Sequence, residues 1–283
     1  MRALGWSAVA LTALAMLAFA GNSLLCRMAL KHTNIDPATF TSVRLAAGVV
    51  VLWLAACWRR RDGAARPPGD WRSAFALFVY AAAFSYAYVG LTAATGALVL
   101  FGAVQMTMMG TGLLRGERLQ PLQWAGFALA VGGLVYLLLP GIAAPSPLHA
   151  ALMVAAGVAW GVYSLRGKGA TDPVTLTAGN FLRALAPALL LSVWMWRSAS
   201  ADATGLAYAV ASGALASGAG YVVWYTVLPR LRSTQAATVQ LSVPVIAAVA
   251  AVFLLGEAPG WRLVVASVAV LGGVALALRT QRS

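Results

Sequence analysis

The chain has little charge and very little acid. Of its 283 residues only 10% are charged, with Lys and Arg numbering 20 against 7 Asp and Glu. A soluble domain carries about 25% charged residues. The two cysteines, Cys26 and Cys57, both lie inside apolar runs, which leaves no disulfide framework. Only two histidines are present, His32 and His149, without a CxxC or HExxH pattern, so neither a metal site nor another cofactor is expected. No Ser or Cys shares membrane depth with a histidine, so no nucleophile–base pair presents itself and the chain does not read as an enzyme. What is abundant is apolar side chain, at 61%. A soluble core of this length cannot hide that much, so the excess must face lipid and the bilayer is the first partner. The net charge of +13 sits mostly at the ends of apolar runs, where topology signals belong. That placement argues against nucleic acid as a partner.

A membrane span takes roughly 20 apolar residues. Uncharged stretches predict ten spans, at about 5–27, 38–58, 72–91, 95–114, 121–139, 148–167, 174–196, 204–228, 234–255 and 260–279. The apolar runs are continuous rather than alternating, which selects helices over barrel strands. Ala18-Phe19-Ala20 before Gly21 resembles a signal-peptide cleavage site, but the repeat described next needs this segment as the first helix. With the N-terminus inside, 14 Lys and Arg fall at inner span ends and only Arg27, Lys31, Arg197 and Arg262 at outer ends. The expectation is a multi-pass protein of a bacterial inner membrane with both termini cytoplasmic.

The chain repeats itself. Gly116-Glu117 and Gly256-Glu257 are 140 residues apart, as are Gly132-Gly133 and Gly272-Gly273, and Gly21 and Gly161. Asp36-Pro37 with Thr39 and Thr41 recurs as Asp172-Pro173 with Thr175 and Thr177, offset by 136. Two halves follow, 1–140 and 141–283, of five helices each. Five is odd, so the halves insert with opposite orientation. Inverted repeats are a signature of transporters, with the substrate site near the midplane between the halves.

Ten helices as five plus five, Gly-Glu before helices 5 and 10, Gly-Gly within them, and Asp-Pro-x-Thr opening helices 2 and 7 resemble the drug/metabolite transporter (DMT) superfamily, EamA type. Within it the pattern looks most like the bacterial aromatic amino-acid exporters of the YddG type. The resemblance implies an all-α membrane fold, two inverted five-helix repeats around a central cavity, and export of small metabolites. One departure is that helix 9 carries Pro244 where the matching stretch of helix 4 has Val104.

Polar groups at midplane depth are costly and so are candidate substrate contacts. They are Asn22 and Ser23 in helix 1, Gln105 in helix 4, Gln240 in helix 9, and Tyr163 beside Trp160 in helix 6. Tyr80 and Phe84 in helix 3 and Tyr221 and Trp224 in helix 8 add an aromatic lining, suited to stacking a flat side chain or to holding an ammonium over ring faces. Tyr88 and Tyr225, nearer the span ends, are expected in the interfacial belt. Arg183, mid-helix and too deep to snorkel, needs carbonyls, a carboxylate or a substrate, and joins the substrate-binding candidates. Arg44, two turns into helix 2, is expected to reach the interface.

Asp36, Asp172, Glu117 and Glu257 precede helices and are expected to cap them. All seven acids, the remaining three being Asp62, Asp70 and Asp202, fall in loops or at helix ends. Transport driven obligatorily by a buried carboxylate is therefore not expected. The leading reading is export of aromatic or neutral amino acids or similar metabolites. The alternative is efflux of aromatic or cationic drugs.

Overall fold

The computed structural model describes residues 6–59, 69–116, 118–141, 144–231, 236 and 239–279; Asp62 and Glu117 lie outside the described residues. The described chain is helical, without a strand. The helices are α1 Trp6–His32, α2 Pro37–Arg59, α3 Trp71–Gly90, α4 Ala93–Leu114, α5 Pro121–Leu138, α6 Pro147–Gly167, α7 Pro173–Trp194, α8 Ala203–Arg230, α9 Ser242–Leu255 and α10 Trp261–Arg279. Nine of these are long and apolar enough to span a bilayer, and α9 is described over 14 residues. Large apolar side chains such as Trp53, Leu190 and Phe253 stand exposed on the outside, where lipid replaces water as the solvent.

Helix ends follow local chemistry. Asp36, Asp70, Asp172 and Asp202 accept backbone N–H groups at the starts of α2, α3, α7 and α8. Proline fills the first position of α2, α5, α6 and α7, where no N–H is needed. Gly116 and Gly256 take left-handed φ values of 88° and 64° just past α4 and α9. A glycine is favoured there because a Cβ is strained in that region. The Glu257 N–H then donates back to the Ala251 carbonyl, closing the end of α9. The carboxylate of Glu257 does not cap α10, the helix it precedes. It accepts from the Ala93 N–H at 2.8 Å and so caps α4 of the other half. The chain turns left-handed at Gly256, which aims Glu257 sideways across the bundle.

Call the face where α1 begins the near face and the opposite one the far face. Ends then meet as two oppositely inserted halves require. On the far face Arg27 of α1 pairs with Glu257 at 2.8 Å. There too the Asp36 carboxylate accepts from the Ser200 N–H, and Asp202 from the Asn34 N–H. On the near face Asp70 pairs with Arg166 at 2.9 Å.

Packing between halves is reciprocal. α2 lies along its equivalent α7, and α5 along its equivalent α10. α1 packs mainly against α8 and α9, and its equivalent α6 against α3 and α4. Each half thus lends its first helix to the other. At the α5–α10 seam, a Cβ on Gly133 would lie 3.1 Å from the Val270 nitrogen, and one on Gly273 would lie 2.6 Å from the Ala130 nitrogen. These contacts map onto one another at the 140-residue offset. The protein is an all-α membrane protein of two inverted five-helix repeats.

Candidate functional site

The centre of the bundle is built from aromatic side chains. Tyr88, Phe84 and Tyr80 follow one another down α3 at helical spacing of four, which puts them on one face. Phe84 lies edge-on to Tyr88 with centroids 4.8 Å apart, and Tyr80 follows at 5.5 Å. Trp160 of α6 continues the column, 4.8 Å from Tyr80, and stacks on both Tyr163 and Tyr221 at 5.4 Å. Tyr221 of α8 stacks in turn on Tyr225 at 6.1 Å. Trp224 joins from α8 through Phe19 of α1, at 6.1 Å. The rings run from the far end of α3 to the near end of α8, with both halves contributing. Tyr88, expected in the interfacial belt, is instead fully buried, because the face of α3 that carries it is covered by α1 and by the α3–α4 turn.

A polar bridge crosses beside the rings. The Ser212 hydroxyl donates to Asn22 Oδ1 at 2.6 Å, and Asn22 Nδ2 donates to the Tyr80 hydroxyl at 3.2 Å. Ser212 opens the segment Ser212–Ala219 of α8, which is wound as a π-helix. Such wide turns expose backbone and recur at functional sites. Gly213 and Gly218 in this segment let α8 approach Ala47 and Val51 of α2 closely. In the second half the Tyr163 hydroxyl donates to Thr177 at 3.4 Å, and Asn180 Nδ2 lies 3.5 Å from the Tyr163 hydroxyl.

Of the residues singled out in sequence, Asn22, Tyr80, Phe84, Trp160, Tyr163, Tyr221 and Trp224 come together here. Ser23 is buried next to Tyr88, and Gln105 is buried on α4. Gln240 is half-buried before α9. Arg183 is also outside the column. Its guanidinium donates to the Gly179 carbonyl at 3.0 Å and packs on the Gly69 backbone, because α3 begins against the middle of α7. Sequence reasoning passed over Phe19, Asn180, Ser212 and Phe181, which lies edge-on to Tyr221 at 5.9 Å.

The largest correction is Arg44. It does not reach the interface. It is 2% exposed, with its guanidinium carbon 4.9 Å from the Phe84 centroid and 5.2 Å from that of Tyr80. Its Nε and Nη1 are buried without a hydrogen-bond partner. The side chain sits on the inner face of α2, between Thr41 and Gly48, which faces α7 and α8.

At the near face, the α6–α7 turn and the end of α8 surround a cavity of about 400 Å³. Asp172, Pro173, Tyr225 and Pro229 line it, so the last ring of the column looks onto it. Close by, Asp70 is partly desolvated, yet hydrogen bonds from Ser73 and Arg166 hold its pKa down at about 2. Among the described residues no cluster of His, Cys, Asp and Glu is arranged to hold a metal.

The sequence pattern of the EamA-like transporter family matches residues 6–139 and 148–279. The chain belongs to the EamA-like transporter family. An uncharacterized protein of Pseudomonas aeruginosa is 59% identical over 268 residues, 95% of this chain and 93% of its own. An uncharacterized transporter of Archaeoglobus fulgidus is 28% identical over 287 residues, 96% and 97% of the two chains. A solved crystal structure at 22% identity covers 98% of this chain and 99% of its own with a TM-score of 0.67, a likeness of fold. None of these relatives is described by a substrate. This EamA-like chain is a membrane transporter, and the aromatic column lies where its two repeats meet.

Proposed function

We propose that this transporter exports aromatic or neutral amino acids, or small metabolites like them, across a bacterial inner membrane by alternating access. The observation that carries the reading is the column of rings drawn from both halves, with the Ser212–Asn22–Tyr80 bridge beside it. Stacked rings bind a flat or apolar body, and a site shared by two inverted halves is one that rocking of the halves opens to either side. The excess of Lys and Arg on the near face supports that face as the cytoplasmic one, with both termini inside. Export then starts at the cavity beside Tyr225. Asp36, Asp70, Asp172, Asp202 and Glu257 are all engaged at helix ends, which supports export down the substrate gradient rather than through a titrating carboxylate in the path.

Efflux of cationic aromatic drugs is the second reading, favoured by the ring faces. The buried positive charge of Arg44 opposes it. Counterflow in proteoliposomes separates the two. Vesicles preloaded with unlabelled phenylalanine, tryptophan, methionine or a quaternary ammonium compound receive label outside, with and without a pH gradient. Accumulation of labelled amino acid, indifferent to the gradient, is the expected result. Activity with the quaternary ammonium alone would overturn it in favour of drug efflux.

A further inference from the structure

Among the described residues Arg44 has no counter-charge. Among the described residues the ion pairs are Arg27 with Glu257 and Arg166 with Asp70, both at helix ends. Asp36, Asp172 and Asp202 are spent on helix caps. The guanidinium instead lies over the rings of Tyr80 and Phe84 and beside the Tyr80 hydroxyl, while its Nε and Nη1 are buried without a hydrogen-bond partner. A buried charged group with unpaired donors is expensive, and more so within a membrane-spanning bundle.

The repeat sharpens the point. Arg44 is eight residues beyond Asp36, and Asn180 is eight beyond Asp172. The two positions are equivalent. Asn180 is a neutral group with both ends of its amide in use, accepting from the Asp70 N–H at 3.0 Å and facing the Tyr163 hydroxyl. The same position in the first half carries a full charge with open donors. A purely structural polar contact is met by the neutral side chain in one half, so the charge in the other answers to something else.

We propose that Arg44 is the anion subsite of the transport path, and that its guanidinium takes the carboxylate of a monoanionic substrate with an aromatic or apolar body. This rests on the reading of the aromatic column as the transport site. The planar guanidinium presents two parallel N–H groups that match the two oxygens of a carboxylate. Trp160, half-buried where its neighbours Tyr80, Tyr163 and Tyr221 are buried, is the ring of the column with surface left for the body. Charge decides between substrate classes. A monoanion cancels the charge of Arg44. A zwitterion leaves the net positive charge in place, and a cation doubles it in a medium of low dielectric. The site therefore prefers monocarboxylates, accepts zwitterionic amino acids less well, and rejects amines.

Three compounds with one ring and a similar chain test this in the counterflow assay: 3-phenylpropionate, phenylalanine and phenethylamine. Unaltered protein is expected to carry 3-phenylpropionate best, phenylalanine less well and phenethylamine not at all. Arg44→Gln is expected to lower 3-phenylpropionate flux by about tenfold or more, with Arg44→Lys keeping part of it. Thermal unfolding in detergent checks that both variants fold, and the substrate series on unaltered protein stands without them. Phenethylamine carried as well as 3-phenylpropionate would overturn the proposal, as would a folded Arg44→Gln with undiminished carboxylate flux. If 3-phenylpropionate is carried and phenylalanine is not, the amino-acid reading fails and the anion subsite stands. If phenylalanine is carried equally by parent and Arg44→Gln, the subsite fails and the amino-acid reading stands. No flux for any of the three overturns both.

Discussion

Asn22 joins three helices through one amide, accepting from Ser212 on α8 and donating to Tyr80 on α3. Asn22→Ala leaves both hydroxyls buried without that partner, at a cost of about 1–3 kcal/mol. A fall in the thermal midpoint in detergent, together with lost counterflow, is expected; an unchanged midpoint would show the bridge to be idle. The Asp70–Arg166 pair is different, being part-exposed. Arg166→Ala is expected to cost less than about 1 kcal/mol. Because the folded-state pKa of Asp70 is lowered from its ordinary value of 3.8 to about 2, its contribution is fully present above 3.8 and lost as pH falls through 2. Midpoints of parent and Arg166→Ala measured from pH 6 down to pH 2 should therefore converge only at the acid end. The two buried-or-not arginines show where residue-level reading stops. Counting from the helix end placed Arg44 shallow and Arg183 deep. Position along the helix does not settle this, because the rotational face decides: Arg44 shares its stripe with Thr41 and Gly48 and turns inward, while Arg183 lies back along α7 to Gly179. The usable signal was the eight-residue spacing from Asp36, shared with Asn180.

At the scale of the helix, uncharged length located nearly every span to within a few residues. The exceptions were α9, expected from 234 and described as a helix from Ser242, and α1, which runs to His32, past Arg27 and Lys31. Charge normally marks a span's end, but Arg27 is neutralised by Glu257 and by carbonyls of Tyr88 and Val89, so the helix continues beyond it. Glycine pairs were legible as a motif but not in their division of labour. In Gly132-Gly133 and Gly272-Gly273 only the second glycine of each touches the partner helix. Gly273→Val would drive a side chain into the Gly126 carbonyl and Ala130, separating α5 from α10 at a cost of about 1–3 kcal/mol. Gly272→Val, with nothing within 4 Å of its Cβ, is expected to be close to neutral. Thermal unfolding of the two variants side by side checks this, and equal midpoints would sink it. The π-wound stretch of α8 gave no sign in sequence beyond its glycines, since its winding answers to α2 and Asn22 rather than to local propensity.

The molecule as a whole reads from the 140-residue self-similarity, which implies two halves, opposite insertion and a shared centre. What self-similarity does not reveal is the exchange of α1 and α6, because spacing along the chain is silent about which half a helix packs into. That exchange makes each half incomplete. Residues 1–140 expressed alone are expected to be degraded, and coexpression with 141–283 to restore a folded, active pair. Stable accumulation of the first half alone, measured by immunoblot of membranes, would contradict the exchange.

The loan of α1 also sets an order of events at the ribosome. The chain reaches His32 about 170 residues before it reaches Ala203, where α8 begins. At about 5–20 residues per second, α1 waits on the order of ten seconds or more for the helix that receives it. Asn22 and Arg27 pass that interval without Ser212 and Glu257, their partners from the second half. The newborn chain must therefore shelter α1 against insertion machinery or its own α3 and α4 until translation is nearly complete.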